Sequence, residues 1–322
     1  MKRFGAINVY SKGIFLLDIE VELAWGMTHM RTDADRLRKA SESARDHLRE
    51  IFDLLEKHRI SVTWGILGHL LSESCRSKRE PSFYGKDIVD RIVDFALKAR
   101  VPQDIACHSY SHRLLGDQAC SKEVADFEVK RSIELLEENY HIVPKVFIFP
   151  RDEPGHLDIL HKYSFACFRG PTPHFIDYSK SQRGIWNLTR QYLSLGSYLV
   201  SFYLAVPPPV VVPLKQGGMT NIPASMSYNK KPFVPLELVT LKAKQGIRRA
   251  IIERKVVHLS MHLINFGEVS SIKKFFKGFE EILTYTDLCR KEGKLEVLTM
   301  KRIAETLQAT PSTSNRDQKT GS

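Results

Sequence analysis

Five cysteines among 322 residues, at positions 75, 107, 120, 167 and 289, are odd in number and nowhere spaced as CxxC. That excludes a disulfide framework or a zinc ribbon and suits a reducing compartment. The run Ile14 to Leu17 stops at Asp18, too short for a secretory signal core, so a cytoplasmic location is expected. Residues 192–213 carry no charged side chain. Their apolar part, about fifteen residues before Pro207-Pro208-Pro209, falls short of the ~20 that cross a bilayer, and the prolines end any helix. A core or partly exposed helix is expected there, with peripheral contact to a membrane or a lipid-linked substrate as the other reading. No dense basic block accompanies the net charge of +11. The net charge suits anionic partners in general, but the Lys and Arg are scattered, so solvated surface charge is expected and no nucleic acid is specified.

What is present is an ordinary globular composition, 43% hydrophobic and 26% charged. Apolar runs rich in β-branched and aromatic residues at 14–18, 61–67, 104–107, 145–149, 165–168, 256–261 and 295–299 predict strands. Helical segments are expected at 33–57, 86–99, 121–139, 155–163, 181–204, 237–254, 270–291 and 300–307. About seven strand–helix repeats without a long polar linker predict one barrel-like α/β domain over residues 1–308. Residues 309–322 contain no large apolar side chain and are expected to form a disordered tail.

In such a barrel, functional groups gather at the C-terminal ends of strands. Asp18 and Glu20 close the first strand, His108 and His112 follow the third, Arg151 the fourth, and His262 the penultimate one. On a helical turn, histidines four residues apart share a face and can hold one divalent ion; by chance alone they would be surface or capping residues. Asp18 and Glu20 project to one side of a strand. One of them with His108 and His112 makes a two-histidine, one-carboxylate site, and the other is free to act as a general base. His262 is placed to protonate a leaving nitrogen, and Arg151 to keep a carboxylate such as Asp18 ionised. His258, about 13 Å of strand behind His262, is read as structural.

With these motifs in place, the chain resembles the polysaccharide deacetylase, or NodB-homology, family of metal-dependent carbohydrate esterases. The likeness runs from Ile14 to about Ala304. It rests on Leu17-Asp18-Ile19-Glu20 with Leu23-Ala24-Trp25-Gly26, on Val62-Thr63-Trp64-Gly65-Ile66-Leu67-Gly68, on His108-Ser109-Tyr110-Ser111-His112, on Phe149-Pro150-Arg151, and on His262 with Asn265-Phe266.

The resemblance implies a deformed (β/α) barrel of about seven strands, a divalent metal ion, usually zinc, and removal of N-acetyl groups from amino sugars. The family's first motif has two adjacent aspartates as base and ligand, and here Ile19 stands in place of the second. The Asp-x-Glu form resembles a variant branch, implying Asp18 as base and Glu20 as the ligand beside His108 and His112. Arg151 and His262 are implied as catalytic. Trp25, Trp186 and Asn265 are the expected sugar contacts, although a large aromatic in an α/β domain is more often core. The usual Arg-x-Pro-Tyr-Gly reads Pro150-Arg151-Asp152-Glu153-Pro154, so the family's tyrosine backbone donor is not in its usual place. The expected function is metal-dependent hydrolysis of a non-peptide C–N amide bond in an N-acetylated sugar or glycan precursor. The alternatives are a hydrolase of a cyclic ureide or imide on the same scaffold and a glycan-binding homologue without catalysis.

Overall fold

A strand covered by neighbouring layers on both faces is buried throughout, and Gly13–Val21 (β1) is buried along its whole length. A computed structural model of the chain describes residues 10–27, 33–72, 80, 82–172, 200–231, 233–267 and 272–309. The further strands are Val62–Ile66 (β2), Asp104–Cys107 (β3), Val146–Ile148 (β4), Cys167–Arg169 (β5), Leu214–Gln216 (β6), Met219–Asn221 (β7), Met226–Ser227 (β8), Val256–His262 (β9) and Leu295–Val297 (β10). They form one sheet in the order β6-β7-β5-β4-β3-β2-β1-β9-β8, with β10 also on β1. Among the described strands only the β6–β7 pairing is antiparallel. One edge of β1 carries β10 along Gly13–Phe15 and β2 along Leu17–Val21, while β9 runs along the other edge.

The sheet is curled. β5 lies four places from β1 in that order, which in a flat sheet would be ~19 Å. Yet Arg169 at the end of β5 places its Nη1 2.6 Å from Asp18 Oδ2 on β1, a reach possible only across the hollow of a half-barrel. The outer layer comprises helices Ala34–Asp46 (α1), Leu48–His58 (α2), Lys86–Lys98 (α3), Lys122–Tyr140 (α4), Leu157–Lys162 (α5), Leu236–Glu253 (α6), Ile272–Lys291 (α7) and Met300–Ala309 (α8).

Alternation along β1 sorts its side chains between two cores. Phe15, Leu17, Ile19 and Val21 join a cluster with Ile51 of α2, Ile88 of α3, Val129 of α4 and Phe279 of α7. Ile14 and Leu16 point into the hollow, where they meet Ala106, Val146, Ile148, Cys167 and Val256, together with Met300, Ile303 and Ala304 of α8. α8 thus closes one end of the barrel. Its first amides find acceptors on the strands, Met300 N donating to Thr63 Oγ1 at 3.1 Å and Lys301 N to Asp104 Oδ2 at 3.0 Å. The other end, at the C-terminal strand termini, is left for polar groups.

All seven strands expected from the sequence are present, and the fold is the expected deformed (β/α) barrel. β6, β7 and β8 were not foreseen. They are two or three residues long and lie in a proline-interrupted stretch, where periodicity has no room to show. The helix expected over 33–57 is two helices. The chain breaks at His47, whose ring Nδ1 lies 2.8 Å from the Ser43 carbonyl oxygen, with no glycine or proline to mark the site. Of the uncharged 192–213 stretch, residues 192–199 lie outside the described residues. Val200 to Tyr203 are helical, and beyond the prolines Val211 pairs with Val256 as an antiparallel bridge. Tail residues 310–322 also lie outside the described residues.

Gly13 sets how closely α6 approaches β1, since a Cβ there would lie 2.7 Å from Ile251 N and 2.8 Å from the Ala250 carbonyl oxygen. Gly13→Ala is expected to destabilise the fold by ~1–3 kcal/mol, the range for overpacking. A lowered urea midpoint with unchanged slope would show it, and an unchanged midpoint would contradict this packing.

Candidate metal centre and its buried charges

The inward face of β1 turns polar halfway up. After Ile14 and Leu16 come Asp18 and Glu20, and the alternation carries on to Glu22 just past the strand end, all three buried. In register beside Asp18 are Thr63 and Ser260, and beside Glu20 are Gly65 and His262. A side chain on Gly65 would press on Ile148 Cδ1, 2.9 Å away, and stand 3.7 Å from Glu20 Cγ. At Gly26 a Cβ would fall 1.8 Å from Glu22 Oε1, so glycine there leaves the volume that the Glu22 carboxylate occupies.

His108 and His112 converge, but not on a helix. The connecting loop carries left-handed backbone at Ser109 (φ 60°) and His112 (φ 61°), and the ring centroids lie 5.2 Å apart. Such backbone is costly for residues other than glycine and persists only where its surroundings enforce it. Glu128, buried on α4, does so by accepting from Tyr110 N (3.1 Å), Ser111 N (2.7 Å) and Ser111 Oγ (2.5 Å). His112 N donates to Ser109 Oγ at 3.1 Å. His108 Nδ1 lies 2.9 Å from the Ile148 carbonyl, which can only accept, so that nitrogen carries the proton and Nε2 faces the carboxylates.

Glu22 Oε2 is 3.0 Å from His108 Nε2 and 2.8 Å from His112 Nε2. Its Oε1 is 2.8 Å from His262 Nδ1. Glu20 lies 3.2 Å from His108 Nε2 and 3.9 Å from His262 Nε2. Two overlapping sets among the described residues have ligand atoms close enough to hold one ion: Glu22, His108 and His112, and Glu20, Glu22 and His262. Glu22 belongs to both.

Beneath them Arg169 is buried, its Nη1 donating to Asp18 Oδ2 (2.6 Å), Glu20 Oε1 (2.7 Å) and Ser260 Oγ (3.2 Å), and its Nε to Asp152 Oδ1 (2.7 Å). His258 Nε2 sits 2.6 Å from Asp18 Oδ1, with Nδ1 3.1 Å from the Pro223 carbonyl. Burial alone would raise the Glu20 carboxyl, but Arg169, His262 and His108 outweigh it and pull the pKa down to about 2. Glu22, equally penalised by burial, is held well below the usual range by the three imidazoles around it. Burial would lower His262, yet Glu20 and Glu22 push it up to about 9. Three carboxylates thus share one buried guanidinium, and Glu22 stands beside them as a fourth that it does not reach. That shortage of positive charge is made up by imidazolium protons or by a bound cation, and a carboxylate pinched between two imidazole nitrogens is a donor set that fits a divalent ion.

Several sequence-derived placements change. Arg151 does not meet Asp18. It sits exposed in the 3-10 turn after Pro150, with left-handed backbone (φ 56°), and lines the cleft above the centre. The arginine that holds Asp18 is Arg169, brought in by the inward face of β5. His258 is buried as expected, but it faces Asp18 directly. Asp18 itself is fully buried with both oxygens engaged, and it does not line the cleft, whereas Glu20, Glu22, His112 and His262 do. Trp25 stacks on His69 at 4.1 Å and donates its indole N–H to the Phe83 carbonyl; Gly26 and Met27 face the cleft in its stead. Trp186 lies outside the described residues. Asn265 lines the cleft, and its buried Nδ2 has no partner among the described residues. Sequence reasoning missed Glu22, whose signal was the third acidic residue in an i, i+2, i+4 series. It also missed Arg169 and Glu128, which carry no local signal.

A model of the polysaccharide deacetylase family matches residues 40–156, a stretch that holds His108, His112 and Arg151. Over that stretch the chain is similar to the polysaccharide deacetylase family. The matched segment begins after β1 and ends before β5 and β9, so Asp18, Glu20, Glu22, Arg169 and His262 lie outside it. No curated protein matches the chain. Among solved structures, a Mycobacterium smegmatis protein assigned as a polysaccharide deacetylase is 15% identical with a TM-score of 0.59, covering 95% of this chain and 94% of that one. A GH57-type branching enzyme from Pyrococcus horikoshii is 10% identical, TM-score 0.51, covering 92% of this chain and 71% of its own. A 4-alpha-glucanotransferase from Thermococcus litoralis is 14% identical, TM-score 0.56, covering 93% of this chain and 40% of its own. At such identities the likeness is one of fold.

Glu128→Ala should loosen the histidine loop and weaken the affinity of the site for an added divalent ion by ~10–100-fold, the usual effect of removing an outer support of a metal ligand. Competition against a chromophoric chelator measures it; unchanged affinity would mean the loop holds its shape without Glu128.

Proposed function

We propose that the chain is a divalent-metal-dependent N-deacetylase of an amino sugar within a glycan or glycan precursor, with zinc as the metal. The observation that carries this reading is the Glu22 carboxylate 3.0 and 2.8 Å from the facing nitrogens of the two histidines in the family-matched segment. Glu22, His108 and His112 hold the ion, which, when bound, supplies Lewis acidity toward a water and the acyl carbonyl.

The protein's own groups then divide the proton work. Glu20 lines the cleft and, with its pKa near 2, is ionised at any pH at which the protein works, so it can accept a proton from the attacking water. His262, about one-third exposed to the cleft and pushed up to about 9, is protonated at neutral pH and can hand its proton to the leaving nitrogen. Environments that drive two groups apart in this way assign acid and base. Asp18, Arg169 and His258 form the buried support that fixes Glu20. Asn265 offers its amide N–H to the sugar.

Four described cysteines are free thiols, which suits a reducing compartment. Among the described residues no helix is long and apolar enough to cross a membrane.

Zinc-loaded protein is expected to release acetate from N-acetylglucosamine oligomers. Glu22→Ala should lose the metal, whereas Glu20→Gln should keep it and lose ~10²–10⁴-fold in kcat, the span of general acid–base catalysis. Acetate release that survives His108→Ala would remove the reading.

The pH profile tests the acid. Because the active form of His262 is protonated, kcat/KM should fall as pH rises through its pKa, below about 9 once a cation on Glu22 repels the proton. His262→Asn should lower the rate and flatten that alkaline limb; a limb that persists would assign it to another group.

A further inference from the structure

Arg151 is the expected catalytic arginine that the buried network does not use, and its surroundings give it other work. Its side chain is exposed, lines the same 360 Å³ cleft as Glu20, Glu22 and His262, and has no hydrogen bond or ion pair among the described residues. The turn that presents it is strained, with left-handed backbone at both Arg151 and Asp152 (φ 56° each). Such conformations are costly for residues other than glycine and persist only where the surroundings enforce them. Here the anchors are the Asp152 carboxylate on Arg169 Nε at 2.7 Å and Asp152 N donating to the Phe149 carbonyl at 3.1 Å. The buried centre therefore holds the turn that carries the free guanidinium to the cleft. Lining the same cleft, the buried Asn265 Nδ2 is a second donor without an acceptor among the described residues.

The cleft brings together carboxylates with a candidate ion-binding set and two donors, on Arg151 and Asn265, that have no partner among the described residues. A neutral acetylated sugar would use the ion-binding set and leave the guanidinium idle. A planar guanidinium matches a phosphate or carboxylate with two parallel hydrogen bonds. Resting on the deacetylase reading above, we infer that Arg151 forms an anion subsite and that the substrate is an N-acylated amino sugar bearing a phosphate or carboxylate near the acylated ring.

Zinc-saturated protein would be titrated calorimetrically with N-acetylglucosamine, N-acetylglucosamine 1-phosphate and an N-acetylated aminouronic acid, and acetate release followed on the same three. Wild type is expected to bind at least one anionic sugar ~10–100-fold more tightly than the neutral one, as one charged hydrogen-bonded pair allows. The arm that gains identifies the anion. Arg151→Gln should bring the ratio of anionic to neutral affinity to about one, Arg151→Lys should keep part of it, and the change should appear in KM more than in kcat. Equal binding of all three sugars, or a preference that survives Arg151→Gln, overturns the subsite. If the neutral sugar is deacetylated with no anionic advantage, the subsite falls and the deacetylase reading stands. If the anionic preference is present and Arg151-dependent but no acetate is released from any sugar, the subsite stands and the deacetylase reading falls.

Discussion

Arg169 lies buried against Asp18, Glu20 and Asp152, with Glu22 carrying a fourth carboxylate just above. Placing that many like charges where water is excluded is costly unless each is paired and hydrogen-bonded. One guanidinium satisfies parts of three of them, and His258 takes the remaining oxygen of Asp18. Because Arg169 comes from β5 and the two nearest carboxylates from β1, this cluster also joins strands four places apart in the sheet order. It is at once the floor of the site and a tie across the mouth of the half-barrel. What the guanidinium does not reach, Glu22 among three imidazoles, is where a cation is proposed to bind.

This arrangement explains how three acidic residues on one strand come to differ. Asp18, deepest and doubly held, is sealed from the cleft. Glu20 shares the guanidinium but keeps a cleft-facing position, and Glu22 stands beyond the arginine's reach among histidines. Depth along β1 thus matches the proposed roles of support, base and ligand, and the pKa directions of Glu20 and His262 follow from the same geometry. The turn at Arg151 and Asp152 extends the cluster outward, since the carboxylate that anchors it is spent on Arg169.

Much of the fold was legible in the chain because parallel strands buried on both faces read as continuous apolar runs, and all seven such runs are strands. The rest was hidden for local reasons. The helix break at His47 has no glycine or proline, and β6 to β8 are too short for any period. The histidine pair was legible although the helical geometry assumed for it was not, because four-residue spacing also fits a bent loop clamped from α4. The arginine was misread for a different reason. Phe149-Pro150-Arg151 is a conspicuous local motif, while Arg169 ends a three-residue strand and acquires its partner only through the curl of the sheet, a long-range fact that no local pattern carries. Glu22 fell beyond the strand as read from the sequence, so its membership in the acidic series was overlooked.

The centre's assignment turns on which carboxylate completes the histidine pair. Anomalous diffraction at the zinc edge from crystals soaked in zinc would locate the ion directly. A peak about 2.0–2.2 Å from a Glu22 oxygen and from Nε2 of both His108 and His112, with Glu20 still on Arg169, is the predicted result. A peak bound by Glu20 or Asp18 in place of Glu22, or no peak between the two histidines, would contradict it.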